Sequence, residues 1–331
     1  MPNPTIVHVG LPKTASTWFQ KNFYPHLRRP GYVPRPAVNA AFLEGNALTF
    51  DAAEAMRTLG LDGGAGGVLC EEGLCGYLHN GGVAGAITKE VAARIRATLP
   101  DAQIVLFLRA QPRILVAAYQ QYVRAGGTHA AHRYFFPGDY LVGPNAVGYK
   151  QPRFEIDFFA YAPLVAFYDS VFGRARVHVF LYEEFRGGGE AFLRRFAGQL
   201  GLEIDWAGVS TSARHASYGY RLTQLARVLN LFSARSVSDK ARLVHIPGWH
   251  QPRRQLLEAL NRTGLFGRPP NLERLVGRDT ARWLADRYAA DNRRLLALRD
   301  LPLAAHGYPL DAVPDRPDRA RAARWRRQLA R

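Results

Sequence analysis

Thr5-Ile6-Val7-His8-Val9-Gly10-Leu11-Pro12-Lys13-Thr14-Ala15-Ser16-Thr17-Trp18 sets the reading of the whole chain. An apolar run ends at a glycine, a lysine sits inside a tight turn, and three hydroxyl residues lead into a helical pattern. Strand, turn and helix start in that order make an anion cradle. The first N–H groups of a helix lack intrahelical acceptors and lie at the positive end of its dipole, so phosphate or sulfate is stabilised there before any side chain contributes. Lys13 adds a full charge, and Thr14, Ser16 and Thr17 are expected to add hydroxyl donors. Ser and Thr also cap helices for structural reasons, but capping does not call for Pro12-Lys13 in the turn.

The nucleotide-triphosphate loop G-x-x-x-x-G-K-[ST] places its lysine directly before the Ser/Thr of the helix start. Here Lys13 comes three residues after Gly10 and three before Ser16, with no second glycine ahead of it, which argues against an ordinary ATPase or kinase. The stretch closely resembles the 5′-phosphosulfate loop of sulfotransferases, usually written Gly-Leu-Pro-Lys-Thr-Gly-Thr-Thr. Gly10, Leu11, Pro12, Lys13, Thr14 and Thr17 match; Ala15 replaces a glycine and Ser16 a threonine. The resemblance implies 3′-phosphoadenosine 5′-phosphosulfate (PAPS) as donor co-substrate, with Gly10, Pro12, Lys13, Thr14, Ala15, Ser16 and Thr17 around its 5′ end. It further implies transfer of a sulfuryl group to an acceptor hydroxyl or amine, without a metal.

Two further strand ends carry charge. Val68-Leu69-Cys70 reads as a buried strand followed at once by Glu71-Glu72. In sulfotransferases the corresponding strand commonly ends Ser-Ser-Glu, with the glutamate as catalytic base in several members; Glu72 matches it. Together with Lys13, Glu72 is therefore the expected catalytic pair. Gln103 to Leu108 is an apolar strand stopping at Arg109, and Pro112 then falls near the first turn of a helix, a favoured position. The segment Arg109 to Tyr119 resembles the family's 3′-phosphate motif, in which Arg109 and Tyr119 match while Ala117 stands in place of a serine. Arg113 is the nearest candidate to supply the missing contact. An arginine fork can hold a phosphate bidentately, so losing one neutral hydrogen bond should weaken binding by roughly 1 kcal/mol. Tyr182-Glu183-Glu184-Phe185 resembles a late family signature, with Glu183 read as structural.

The strands near residues 5–9, 68–70, 103–108 and 176–181 alternate with helical patterns, which predicts a parallel sheet with right-handed crossovers. The expected class is α/β: a central, mostly parallel sheet flanked by helices as a P-loop-like three-layer sandwich. Helices are expected over 16–27, with Trp18, Phe19, Phe23 and Leu27 on one face, and over 40–60, 87–99 and 157–172. Tyr32-Val33-Pro34 reads as a short strand, and residues 214–230 resemble the loop and helix that follow in bacterial sulfotransferases. Lys13, Glu72, Arg109 and Glu183 all follow strand ends, where open α/β sheets bind ligands. Residues 126–153 lack periodicity and mix His129, His132, Tyr149 and Lys150 with other aromatics and arginines. A loop of that length is usually functional or mobile, and it reads either as the acceptor site, for a sugar, glycan, lipid headgroup or phenolic metabolite, or as a simple surface excursion.

A chain of 331 residues, 47% of them hydrophobic, can bury a large core. One domain over 1–310 and a basic tail over 311–331 are expected. No run of about 18 apolar residues and no signal region is visible, so a cytoplasmic enzyme is expected. Cys70 and Cys75 read as packing residues. The net charge of +17 suits a polyphosphorylated cofactor and an acidic acceptor, with no specific nucleic acid implied. Seven arginines lie between Ala312 and Arg331, which makes the tail a candidate for peripheral membrane contact. Two competing readings are a P-loop kinase, which would need magnesium-binding acids, and a non-catalytic polyanion-binding protein, whose binding would fall steeply with salt.

Overall fold

A computed structural model describes residues 5–64, 66–140, 154–210, 217–232 and 243–311. Tyr149, Lys150, Arg214, His215 and the tail from residue 312, on which expectations rested, lie outside the described residues.

The chain opens with β1 (Ile6–Gly10), which leads through the lysine turn into α1 (Ser16–Asn22). Two short strands, β2 (Leu27–Arg29) and β3 (Gly31–Tyr32), precede α2 (Arg35–Phe42) and α3 (Ala52–Leu59). Next come β4 (Gly67–Cys70), the single-turn α4 (Gly81–Ala84) and α5 (Ala86–Thr98). The strand β5 (Gln103–Leu108) feeds α6 (Gln111–Arg124), followed by α7 (Ala131–Phe135) and α8 (Tyr161–Phe172). After β6 (Val177–Leu181) the chain enters α9 (Tyr182–Leu200) directly and then β7 (Glu203–Ile204). Four helices complete the described chain: α10 (Tyr220–Leu229), α11 (His250–Arg262), α12 (Leu272–Val276) and α13 (Arg278–Leu298).

The main sheet has five parallel strands in the order β3-β4-β1-β5-β6, and β2 pairs with β7 in a separate antiparallel ribbon. The chain winds to one side of β1 through β3 and β4 and to the other through β5 and β6. That reversal makes the C-terminal tips of β1 and its neighbours a topological switch point, where such sheets bind ligands.

Side-chain alternation divides the core between two faces. Ile104, Leu106 and Leu108 of β5 join Val7 and Val9 in the larger cluster, with residues of α2, α5, α6, α8 and α13. Val105 and Phe107 face the other way, onto Phe19, Phe23, Phe192 and Phe196 of the α1 and α9 side. Phe19 lies 5.1 Å from Phe107 between ring centroids, which seats α1 directly over the central strands. Helices on both faces of a parallel sheet give the expected three layers.

Two expected helices are shorter than their patterns. The helix expected over 16–27 stops at Asn22, because Pro25 has no N–H to donate and its ring collides with the preceding turn; Leu27 enters β2 instead. The helix expected over 40–60 is two helices. Gly45 takes φ +87° after α2, and the Asp51 carboxylate accepts the Glu54 N–H at 2.7 Å, capping a new helix.

Candidate functional site

Gly10 is required at the end of β1. It takes φ +133°, and a Cβ there would lie 2.6 Å from Cys75 Sγ and 3.3 Å from the Glu72 carbonyl oxygen. The end of β4 can therefore press against the lysine turn. The Leu11 N–H donates to the Phe107 carbonyl at 3.1 Å, tying the same turn to β5. Lys13 (φ +67°) and Ala15 (φ +76°) are both left-handed, and α1 begins without a side-chain cap. Alternating handedness of this kind turns successive N–H groups toward one side, as in anion-binding nests. A non-glycine residue in this region costs roughly 1–2 kcal/mol, and two of them lie within three positions. Thr14 differs from expectation: it is buried, and its hydroxyl donates to the Leu11 carbonyl at 2.5 Å, locking the turn rather than pointing outward. Its backbone N–H is what it can offer a ligand.

Lys13 holds the centre. Its ammonium donates to Gln121 Oε1 at 2.7 Å, and its carbonyl accepts from Arg109 Nη1 at 2.8 Å. Burial lowers the Lys13 pKa to about 8; the Arg124 and Arg109 charges push the same way, and the Glu72 carboxylate opposes them. The two adjacent glutamates divide their work. Glu71 is buried, pairs with the Arg35 guanidinium and accepts the Gly73 N–H at 2.9 Å, so it fixes the turn after β4. Glu72 faces the Lys13 charge, and its Oε2 is buried without a hydrogen-bond partner. Arg109 packs its guanidinium over the Tyr182 ring at 4.5 Å, while its Nε is buried and unpartnered.

The helix α6 runs along this assembly. Pro112 occupies its first turn, and the Ala110 N–H donates to Glu183 Oε1 at 3.2 Å. Glu183 also accepts from the Tyr308 hydroxyl at 3.3 Å and lies 3.7 Å from Arg113 Nη1, as befits a structural residue. Arg113, Ala117, Gln121 and Arg124 recur at helical spacing and form one stripe. Its C-terminal end reaches Lys13 through Gln121, and its N-terminal end carries the half-exposed Arg113. Tyr119 falls off the stripe. Its ring is wholly buried and its hydroxyl donates to the His129 carbonyl at 3.0 Å, which places the side chain in the core.

Lys13, Glu72 and Arg109 thus converge at the C-terminal edge of three adjacent strands. Gln121, Arg124, Tyr182 and His79 also belong to this neighbourhood, and sequence reasoning passed them over. The stripe at intervals of four, four and three residues from Arg113 was a usable signal for Gln121 and Arg124. His79 carried none. Its Nδ1 lies 2.5 Å from the Tyr134 hydroxyl, and burial with the nearby Lys13 charge lowers its pKa to about 4, so it is neutral near pH 7. The expected acceptor loop is partly helical, as α7 and a turn over Pro137–Tyr140, and residues 141–153 of it lie outside the described residues. His129 is buried within it, and His132 lies 3.1 Å from the Tyr140 hydroxyl.

The chain is similar in structure to a sulfotransferase from Alicyclobacillus acidocaldarius, with a TM-score of 0.52 and 18% sequence identity over 92% of this chain and 99% of that one. No family model and no curated protein sequence matches it. At that identity the likeness establishes a shared fold. Among the described residues, no helix is long and apolar enough to cross a membrane.

Proposed function

We propose that this chain is a sulfotransferase that moves a sulfuryl group from PAPS to an acceptor hydroxyl or amine. The observation that carries the reading is the meeting of Lys13, Glu72 and Arg109 around a turn whose backbone is strained at Lys13 and Ala15. A turn serving structure only would relax this strain and satisfy its own donors. The fold shared with a bacterial sulfotransferase supports the same reading.

The residues present suit the donor. Gly10, Pro12, Lys13, Thr14, Ala15, Ser16 and Thr17 would hold the 5′ end, Thr14 and Ala15 through backbone N–H groups. Arg109, with a buried nitrogen lacking any partner, and the half-exposed Arg113 would hold the 3′-phosphate, a group that ATP does not carry. When bound, PAPS supplies the sulfuryl group, whose bond to the 5′-phosphate oxygen breaks as its bond to the acceptor forms. Glu72 takes the acceptor's proton, a role supported by its buried Oε2, which has no hydrogen-bond partner. Lys13 neutralises the charge that develops on the departing phosphate oxygen, and it is already fixed in place by Gln121.

The test is a thermal-shift and calorimetric comparison of adenosine 3′,5′-bisphosphate (PAP) with ADP and ATP. Selective stabilisation by PAP is expected. Equal or greater stabilisation by ATP would remove the assignment.

A further inference from the structure

On α11, Arg253 is 1% exposed and heads the fully buried side chains by volume. Its Nη2 donates to the Arg124 carbonyl at 3.3 Å and lies 3.3 Å from His250 Nδ1. Its Nε and Nη1 are buried without any hydrogen-bond partner. Among the described residues no carboxylate lies within ion-pair distance of it. Burying a guanidinium with two unsatisfied nitrogens is costly, and such a charge normally acquires a counter-ion. Closing the end of α6 through the Arg124 carbonyl explains one nitrogen and leaves two.

The surroundings are cationic and connect to Lys13. Arg124 places its guanidinium 4.2 Å from the Tyr218 ring centroid, and its charge is felt at Lys13. The charges of Arg124 and Arg253 both act on the Tyr218 hydroxyl, with Glu258 opposing them. The acids nearby are Glu72, which faces Lys13, and Glu258, which pairs with Arg254 at 2.9 Å. A line of positive charge therefore runs from Lys13 through Arg124 to Arg253, ending at donors with nothing to bind.

We propose that the acceptor carries an oxyanion, a carboxylate, sulfate or phosphate, and that Arg253 with Arg124 receives it while the acceptor's hydroxyl or amine lies between Glu72 and Lys13. This rests on the transferase reading above and gives it a substrate class. Arg253 is a binding residue in this scheme and takes no part in the transfer.

The probe is inorganic sulfate, titrated into the full chain by thermal shift at constant ionic strength with PAP saturating, so that the lysine turn is occupied. The wild-type protein should show a further saturable stabilisation. In Arg253→Gln the half-saturating sulfate concentration should rise about tenfold or more, as expected for removal of a charge-assisted hydrogen bond, while the response to PAP stays intact. Arg254→Gln, on the exposed neighbouring pair, should behave as wild type. A wild-type protein with no second sulfate response, or an Arg253→Gln variant that responds as wild type, overturns the proposal. Should Arg253→Gln not fold, crystals of the wild-type protein soaked in selenate with PAP decide: an anomalous peak at the Arg253 guanidinium supports the site, and peaks only elsewhere sink it. Absence of any PAP response would instead break the transferase reading, and the sulfate titration run without nucleotide would still report on Arg253.

Discussion

Two strand-to-helix junctions lie side by side at the sheet edge, and they are finished in opposite ways. At β5–α6 the backbone is relaxed: Ala110 sits at φ −50°, ψ 126°, a proline starts the helix, and the Ala110 N–H has a carboxylate from the protein itself, Glu183. At β1–α1 the backbone is strained at Lys13 and Ala15, no side chain caps the helix, and the nearest cation is a half-buried lysine whose pKa desolvation lowers to about 8. One junction carries its own anion, and on the reading proposed above the other takes one from outside. Strain and desolvated charge at the second lower stability, and such strain clusters at functional sites.

The largest effect should follow from Lys13→Ala. Removing one preorganised positive group at the developing charge is expected to lower kcat by about 10²–10³-fold, with unfolding stability changed by less than about 1 kcal/mol, because alanine keeps the same left-handed backbone and loss of the Gln121 hydrogen bond is offset by relief of a desolvated charge. Single-turnover assays beside urea unfolding read both quantities. Activity within tenfold of wild type would break the contrast at its functional end. Glu183→Gln should do the reverse. With Ala110, Tyr308 and Arg113 losing a charged partner, stability should fall by about 1–3 kcal/mol while PAP affinity changes less than threefold. A large loss of PAP affinity at unchanged stability would mean that the two junctions do not divide the work in this way.

The pH dependence sharpens the comparison, since a titrating cation lies at one junction and not at the other. An anion favours protonated Lys13, so its pKa rises on binding. Near pH 8 binding should take up about half a proton per site, and affinity should decline as pH climbs above about 8, by at most tenfold per unit. Phosphate's second ionisation, near pH 6, lies below this window. Calorimetry of PAP binding in buffers of different ionisation enthalpy measures the uptake. Lys13→Arg, whose guanidinium does not titrate there, should flatten the profile; the same slope in both proteins would remove Lys13 as its source.

Much of this was legible in the residues. Continuous apolar runs ending in charge located β1, β4, β5 and β6, and the rule that ligands gather at parallel strand tips brought Lys13, Glu72 and Arg109 together before any coordinates. What the pattern could not carry was how each side chain is used. Nothing in Glu71-Glu72 says that the first pairs with Arg35, since that partner comes from a helix 36 residues away in sequence. Thr14 reads as an outward donor until the turn's own carbonyl is seen to accept its hydroxyl. Tyr119 matched a motif, yet helical geometry rotates it away from the Arg113–Gln121 stripe into the core. Arg253 has no sequence signal, because its meaning lies in the absence of a partner in three dimensions.

The smallest expected effect is also the sharpest discriminator between the two junctions, because it concerns backbone alone. Ala15 occupies φ +76°, ψ 13°, a conformation that penalises a Cβ by roughly 1–2 kcal/mol and glycine hardly at all. Glycine is more flexible when unfolded, which offsets about 0.5–1 kcal/mol of that gain. Ala15→Gly should therefore stabilise the protein by about 0.5–1 kcal/mol. Ala110→Gly, made in a conformation alanine adopts freely, should destabilise it by a similar amount through the same unfolded-state entropy. Urea unfolding of the two variants side by side reads the sign of each. Opposite signs place the strain in the lysine turn, whereas equal signs would mean that Ala15 is not held left-handed, and that the nest of N–H groups around Lys13 must be formed by the ligand rather than awaiting it.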